Sequence, residues 1–197
     1  MCSILSNGLL GDYWKIFVLL VKYFNLTKFV CEKFFQDELQ TVNLQLLYQA
    51  MDNEEQDEKI FETLMSNLRN LTSKLLDIIS ELDDIVGKMN KIIKKLKAIH
   101  DLSEVQSSEC NDMDEDLIRL MPKLSEASQE IEQMYKADMK IKSGIAKEIC
   151  ILKFESQLTF FEFCWEYEPK INKEKLFSLL APIIFGLKLQ STCLHLI

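Results

Sequence analysis

FETLMSNLRNLTSKLLDIISELDDIVGKMNKIIKKLKAI, residues 61–99, is written in heptads. Steps of three and four from Phe61 land on Leu64, Leu68, Leu71, Leu75, Ile78, Leu82, Ile85, Met89, Ile92, Leu96 and Ile99, and every one is apolar. That spacing keeps one face of an α-helix apolar, whereas a strand would alternate every second residue. The stretch predicts a single helix of about 40 residues, about 60 Å long at about 1.5 Å per residue. With Phe61 as position a, the e positions are Met65, Thr72, Ile79, Val86 and Ile93, four of them apolar. A face made of a, d and e is wider than a two-stranded coiled-coil seam and calls for several neighbouring helices. The g positions Lys74, Glu81, Lys88 and Lys95 are charged and mark the solvent edge.

On the N-terminal side, Leu9, Leu10, Tyr13, Trp14, Phe17, Leu20, Val21 and Phe24 recur at helical spacing, with Asp12 as an acid near the start. Phe29 to Leu47 reads as a second aromatic-rich helix, carrying Phe34, Phe35, Leu39, Val42 and Leu46, after a break expected around Asn25–Thr27. Residues 9–51 form this aromatic N-terminal segment, and Asp52–Glu58 then packs five acids into seven residues. The long heptad helix occupies 57–100. On its C-terminal side, Asp101–Asp116 holds seven acids and no basic residue, so residues 101–116 are expected to be an acidic linker. Residues 117–170 contain a further long helix through Leu117, Leu120, Leu124, Ala127, Ile131, Met134, Ile141, Ile145, Ile149 and Leu152. Pro122 stands near its start, where proline is tolerated. A short helix with Leu158, Phe161 and Trp165 follows, stopped by Pro169. Residues 171–197 are an apolar tail of uncertain role. The fold class expected is all-α, an elongated antiparallel helical bundle or coiled coil with an acidic linker and short C-terminal helices.

Composition agrees. Only 5 Gly and 3 Pro occur in 197 residues, too few for the turns of a strand-rich fold, and 48% hydrophobic content is enough for a core. The net charge of −8 repels phosphate backbones. Lys88, Lys91, Lys94, Lys95 and Lys97 cluster locally, but no aromatic side chain is interleaved to stack on bases. They read as a solvated helix face, and no direct nucleic-acid contact is expected. Six scattered cysteines without a CxxC pair, with His100 and His195 as the only histidines, give no zinc spacing. Reduced thiols are expected, and no secretory pattern opens the sequence. Ile16–Val21 is too short to span a bilayer. Leu176–Ile197 is interrupted by Pro182, Gly186 and Lys188, which makes a tail anchor a poor reading.

Catalytic patterns are missing: the sequence has no GxxxxGK[ST], GxGxxG, HExxH or GxSxG. With so few histidines, no enzyme, no cofactor and no metal are expected.

The block MYKADMKIKSGIAKEI, residues 134–149, resembles the signature helix of the cyclin-dependent kinase 2-interacting protein family. That helix has a Met-Tyr, a basic residue, an acid, a later lysine, and an aliphatic-Ala-Lys-Glu-aliphatic ending. Leu158, Phe161, Trp165 and Pro169 match a leucine, an aromatic, a tryptophan and a proline downstream. Leu82-Asp83 through Lys88-Met89, Lys95-Leu96 and Ile99 to Leu102 look like the end of the family's central helix, and Asp12-Tyr13-Trp14 like its Asp-Trp start. The resemblance covers residues 12–171. It departs at Cys150–Gln157, where the family's Gly/Pro-type turn is missing, and after Lys188.

The resemblance implies a nuclear, non-catalytic adaptor. Its implied partners are cyclin-dependent kinase 2, the Cdc7 kinase, a checkpoint kinase complex and the subunits of an AAA+ ATPase assembly acting in DNA replication and ribosome maturation. Under it, Tyr135, Lys142, Lys147 and Trp165 are the candidates for partner contact, although a tryptophan in such a setting is more often a core residue. The competing reading is a coiled-coil structural or tethering subunit, such as a kinetochore component, with residues 61–99 as its oligomerisation helix.

Overall fold

The computed structural model of this chain describes residues 2–38, 58–106, 115–149 and 155–181. The elements among them are helical: α1 (Cys2–Phe29), a π-helical segment (Val30–Glu38), α2 (Glu58–Gln106), α3 (Glu115–Glu148), α4 (Glu155–Tyr167) and α5 (173–181). No strand occurs among the described residues, and the chain is all-α.

The heptad stretch lies inside α2, which runs for 49 residues. Its burial follows the wide-face pattern. The a positions Leu68, Leu75, Leu82, Met89 and Leu96, the d positions Leu71 and Ile85 and the e positions Thr72, Ile79, Val86 and Ile93 are buried, while Leu64, Ile78, Ile92 and Ile99 at d and Met65 at e are half-buried. The buried stripe thus takes in a, d and e, as in a helix covered by several neighbours. All of this cover comes from the chain itself.

Four boundaries differ from the sequence expectations. α1 passes through Asn25–Thr27 without a break, because Thr27 is buried and its hydroxyl is held by Lys142. The irregularity comes later, at Val30, where the backbone widens into π geometry and carries Phe34 and Phe35 inward. α2 continues to Gln106 and α3 begins at Glu115, so both ends of the expected linker 101–116 are helical; 107–114 lie outside the described residues. Pro122 falls within α3 rather than at its first turn, with its ring exposed. Part of the expected apolar tail, 173–181, is helical. The expected second aromatic helix beyond Glu38 and the tail beyond residue 181 lie outside the described residues.

The chain divides into two compact units: Met1–Val21, Ile85–Lys136 and Lys170–Ile197 make unit 1, and Lys22–Asp84 with Ala137–Pro169 make unit 2. Each of the three long helices contributes to both, so the units cut across the segments read from the sequence. In unit 1 the core combines Tyr13, Ile16 and Leu20 with Met89, Ile93 and Leu96 and with Leu124, Ala127 and Ile131. In unit 2 it combines Tyr23, Val30, Phe34 and Phe35 with Leu75, Ile79 and Leu82 and with Ile145, Ala146, Phe161 and Trp165. Burying each large aliphatic or aromatic side chain contributes about 1.5–3 kcal/mol, and this burial is the main force holding each unit together.

Polar pairs fix the helix register within these cores. In unit 2 Tyr23 bonds Asp138 and Thr27 bonds Lys142, both 115 residues apart. One turn along α1 is therefore matched by one turn along α3 in the same direction, so these two helices run parallel. The same offset recurs in unit 1, where Tyr13 meets Ser128.

Candidate functional site

Unit 2 is organised around Lys142. Asp138 stands one turn earlier on α3, and the 3.6-residue period brings both to the same buried face. Lys142 is 0% exposed, and its Nζ lies 2.6 Å from Asp138 Oδ2, 3.0 Å from Glu168 Oε1 and 3.0 Å from Thr27 Oγ1. A lysine has three N–H donors, and here each has an oxygen. The Tyr23 ring centroid is 4.7 Å from Nζ and that of Trp165 is 5.1 Å away, so two aromatic faces complete the enclosure. Tyr23 also donates its hydroxyl to Asp138 Oδ2 at 2.7 Å. Among the described residues, Asp138 Oδ1 and Trp165 Nε1 have no hydrogen-bond partner.

Glu168 reaches this centre at a conformational cost. It follows the last residue of α4 with φ at 48°, the left-handed region that a side chain bearing a Cβ rarely adopts. Such a residue costs about 1–2 kcal/mol, and the ion pair with Lys142 is the interaction that offsets it. The chain then turns at Pro169. One buried lysine thereby joins α1, α3 and the end of α4.

Two thiols border the cluster, Cys31 on the π-helical segment and Cys164 on α4, both free. Burial pushes the Cys31 thiol up to about 11, opposed by the nearby Lys142 charge and reinforced by Glu166, Glu168 and Glu162. Burial also raises Cys164, with Asp138 adding to the effect. Both are therefore held as unreactive thiols at neutral pH. Among the described residues no three His, Cys, Asp or Glu side chains gather as a metal ion would need.

In contrast to this enclosed centre, α4 also has an outer face. Its inner side carries Phe161, Cys164 and Trp165 and packs on the π-helical segment. Phe160, Phe163 and Tyr167, at i, i+3 and i+7, turn outward and are 60%, 49% and 54% exposed. The rings of Phe163 and Tyr167 stack with centroids 4.5 Å apart. Half-buried Glu162 and exposed Glu166 lie toward the π-helical segment, where both act on Cys31. In unit 1, α1 likewise exposes Trp14, stacked on Phe17 at 5.3 Å.

Of the four residues expected to touch partners, three are buried. Tyr135 is buried in unit 1, and Lys142 and Trp165 are buried in unit 2. None of the three has surface to offer a partner while the chain is folded; Lys142 and Trp165 are brought together, but as a core contact. Lys147 alone is exposed. The expected solvated face is present, since Lys88, Lys91, Lys94, Lys95 and Lys97 are all exposed. The sequence reading missed Tyr23, Thr27, Asp138 and Glu168. The i, i+4 spacing of Asp138 and Lys142 was visible as an ion pair, but nothing local marked Thr27 or Glu168 as its partners. No helix among the described residues is long and apolar enough to cross a membrane. Comparison with protein-family models, with curated proteins and with solved structures finds no match for this chain.

Proposed function

We propose that the chain is a non-catalytic adaptor subunit that binds other proteins through the outer faces of its helices. The observation carrying this reading is the aromatic strip Phe160, Phe163 and Tyr167, left outside although the same helix has a fully buried inner face. Aromatic side chains gathered at a surface are the residues that anchor protein interfaces. The sequence resemblance supplies the setting: a nuclear protein linking cyclin-dependent kinase 2, the Cdc7 kinase and checkpoint machinery, and working with an AAA+ ATPase assembly in DNA replication and ribosome maturation. The helices are taken as an elongated antiparallel bundle of coiled-coil character, a reading supported by the 49 residues of α2.

The alternative, a coiled-coil tethering subunit such as a kinetochore component, draws on the same long helix. It is the weaker reading because the seam it would use for oligomerisation, Leu68 to Leu96, is already covered within one chain.

Affinity capture from nuclear extract with the full chain, read by mass spectrometry, tests the adaptor reading. AAA+ ATPase subunits or replication kinases are the expected catch. Recovery of only the chain itself, or of kinetochore proteins, would sink it. Lys147→Glu should reduce capture if this exposed end of α3 belongs to the contact.

A further inference from the structure

We infer that the core of unit 2 has a binding site for one water molecule, which accepts a hydrogen bond from Trp165 Nε1 and donates one to Asp138 Oδ1. Both side chains are 0% exposed and both line the same ammonium. Asp138 Oδ2 lies 2.6 Å from Lys142 Nζ, and the Trp165 ring centroid lies 5.1 Å from it. Asp138 uses that one oxygen twice, for Lys142 and for the Tyr23 hydroxyl at 2.7 Å. Among the described residues its Oδ1 has no donor, and Trp165 Nε1 has no acceptor. Buried polar atoms are in the large majority bonded to protein or to ordered water, because an unmade bond inside the core is costly.

The two orphaned atoms are complementary, one an acceptor and the other a donor, yet they do not bond each other. Each is held in place by other contacts. Lys142 and Tyr23 fix Asp138, while Trp165 packs against Lys142 and against Phe35, 6.2 Å away between ring centroids. Asp138 does face this part of α4: the thiol of Cys164, next to Trp165, is raised by burial and further by the Asp138 charge. A gap between two fixed partners is what a bridging molecule fills.

Charge selects the occupant. One ammonium meets two carboxylates here, so an anion would be repelled by Asp138 and Glu168. A metal cation would face the Trp165 N–H, which is a donor only. A neutral molecule that both donates and accepts suits both atoms, and water is the smallest that does. The bridge would tie the middle of α4 to α3, where Glu168 ties only the residue past its end.

The test is a crystal structure of the full chain, joined to a count of internal waters in solution. A single water is expected within about 2.7–3.2 Å of both Trp165 Nε1 and Asp138 Oδ1. In solution, magnetic relaxation dispersion of the water signal counts molecules held longer than the tumbling time. Trp165→Phe should lower that count by one, whereas Trp14→Phe, at an exposed tryptophan, should leave it unchanged. A direct bond from Trp165 Nε1 to a protein oxygen, an ion in place of water, or two waters that each meet only one of the atoms would overturn the assignment. So would a count that Trp165→Phe does not change. The crystal needs no substitution, so it decides the matter even where Trp165→Phe fails to fold.

Discussion

In unit 1 a buried carboxylate, Asp12, is met by Lys15 at 2.7 Å and Lys95 at 2.5 Å. In unit 2 a buried ammonium, Lys142, is met by Asp138 at 2.6 Å and Glu168 at 3.0 Å. The charges are inverted, and so is the relation to water. The side chains of Lys15 and Lys95 remain 63% and 61% exposed, because four methylenes let each head group stay wet while it reaches inward to Asp12. Asp138 and Glu168 have no such reach and are buried with the lysine they serve. A buried acid can thus be neutralised from the surface by replaceable lysines. A buried lysine takes its counter-charges into the core with it. The first arrangement tolerates loss of a partner; the second is a closed unit that holds three parts of the chain in register.

The largest expected effect breaks the closed unit. Lys142→Met preserves the stem and removes the charge, leaving Asp138 and Glu168 buried without a counter-charge. Loss of one partner from a buried ion pair costs about 3–5 kcal/mol, to be read from urea unfolding. Adding Asp138→Asn and Glu168→Gln to the same chain should recover much of that loss, because the uncompensated charges are gone. The Cys31 thiol provides a second readout. Held up at about 11, it should alkylate about 100-fold more slowly at pH 8 than a thiol near 9, and more slowly still in Lys142→Met, where the cation that opposes the upward shift is gone. If Lys142→Met costs under about 1 kcal/mol, the carboxylates are hydrated in solution and the contrast between the units disappears.

A smaller effect, with a pH signature, is expected from Asp12→Asn. Burial pushes the Asp12 carboxyl up, but hydrogen bonds and charge from Lys15 and Lys95 outweigh it and hold the group below its usual 3.8. A carboxyl whose folded value is depressed binds protons more readily in the unfolded chain, so its contribution is complete above the unfolded value and is lost as pH falls through the folded one. Asp12→Asn should therefore cost about 1–2 kcal/mol at pH 7, and the gap to wild type should close below about pH 4. A gap that widens on acidification would mean that burial, and not the lysines, governs Asp12.

What the sequence made legible follows from the same physics. The heptads of α2 announced a wide buried face because apolar periodicity is a local property, and Leu75, Leu82 and Met89 are indeed fully buried. The break expected at Asn25–Thr27 rested on local propensity, which the long-range bond from Lys142 to Thr27 overrides. The burial of Lys142 was not legible either. Its partners lie 115 residues upstream and 26 downstream, and lysine is seldom fully buried unless paired. Trp165 was assigned both roles by the sequence, and its place against Lys142 selects the core. The outward strip of α4 escaped notice because a 13-residue helix with aromatics on two sides shows little periodic contrast.

The smallest expected effect sharpens the contrast from the other side. Lys95→Gln removes one of the two cations on Asp12 and leaves Lys15, three residues away on the same helix, in place. Both lysine head groups are hydrated, so their attraction for Asp12 is screened, and exposed pairs of this kind contribute about 0–1 kcal/mol. Lys95→Gln alone should therefore destabilise the chain by less than about 1 kcal/mol, and Lys15→Gln alone by a similar amount. The double substitution should exceed the sum of the singles, because only then is a buried carboxylate left without any cation. The single-variant cost should fall in high salt, whereas that of Lys142→Met should hardly change, since ions screen exposed charges far better than enclosed ones. A Lys95→Gln variant as damaging as Lys142→Met would show that Asp12 has one indispensable partner, and that the wet and dry clusters differ in sign only.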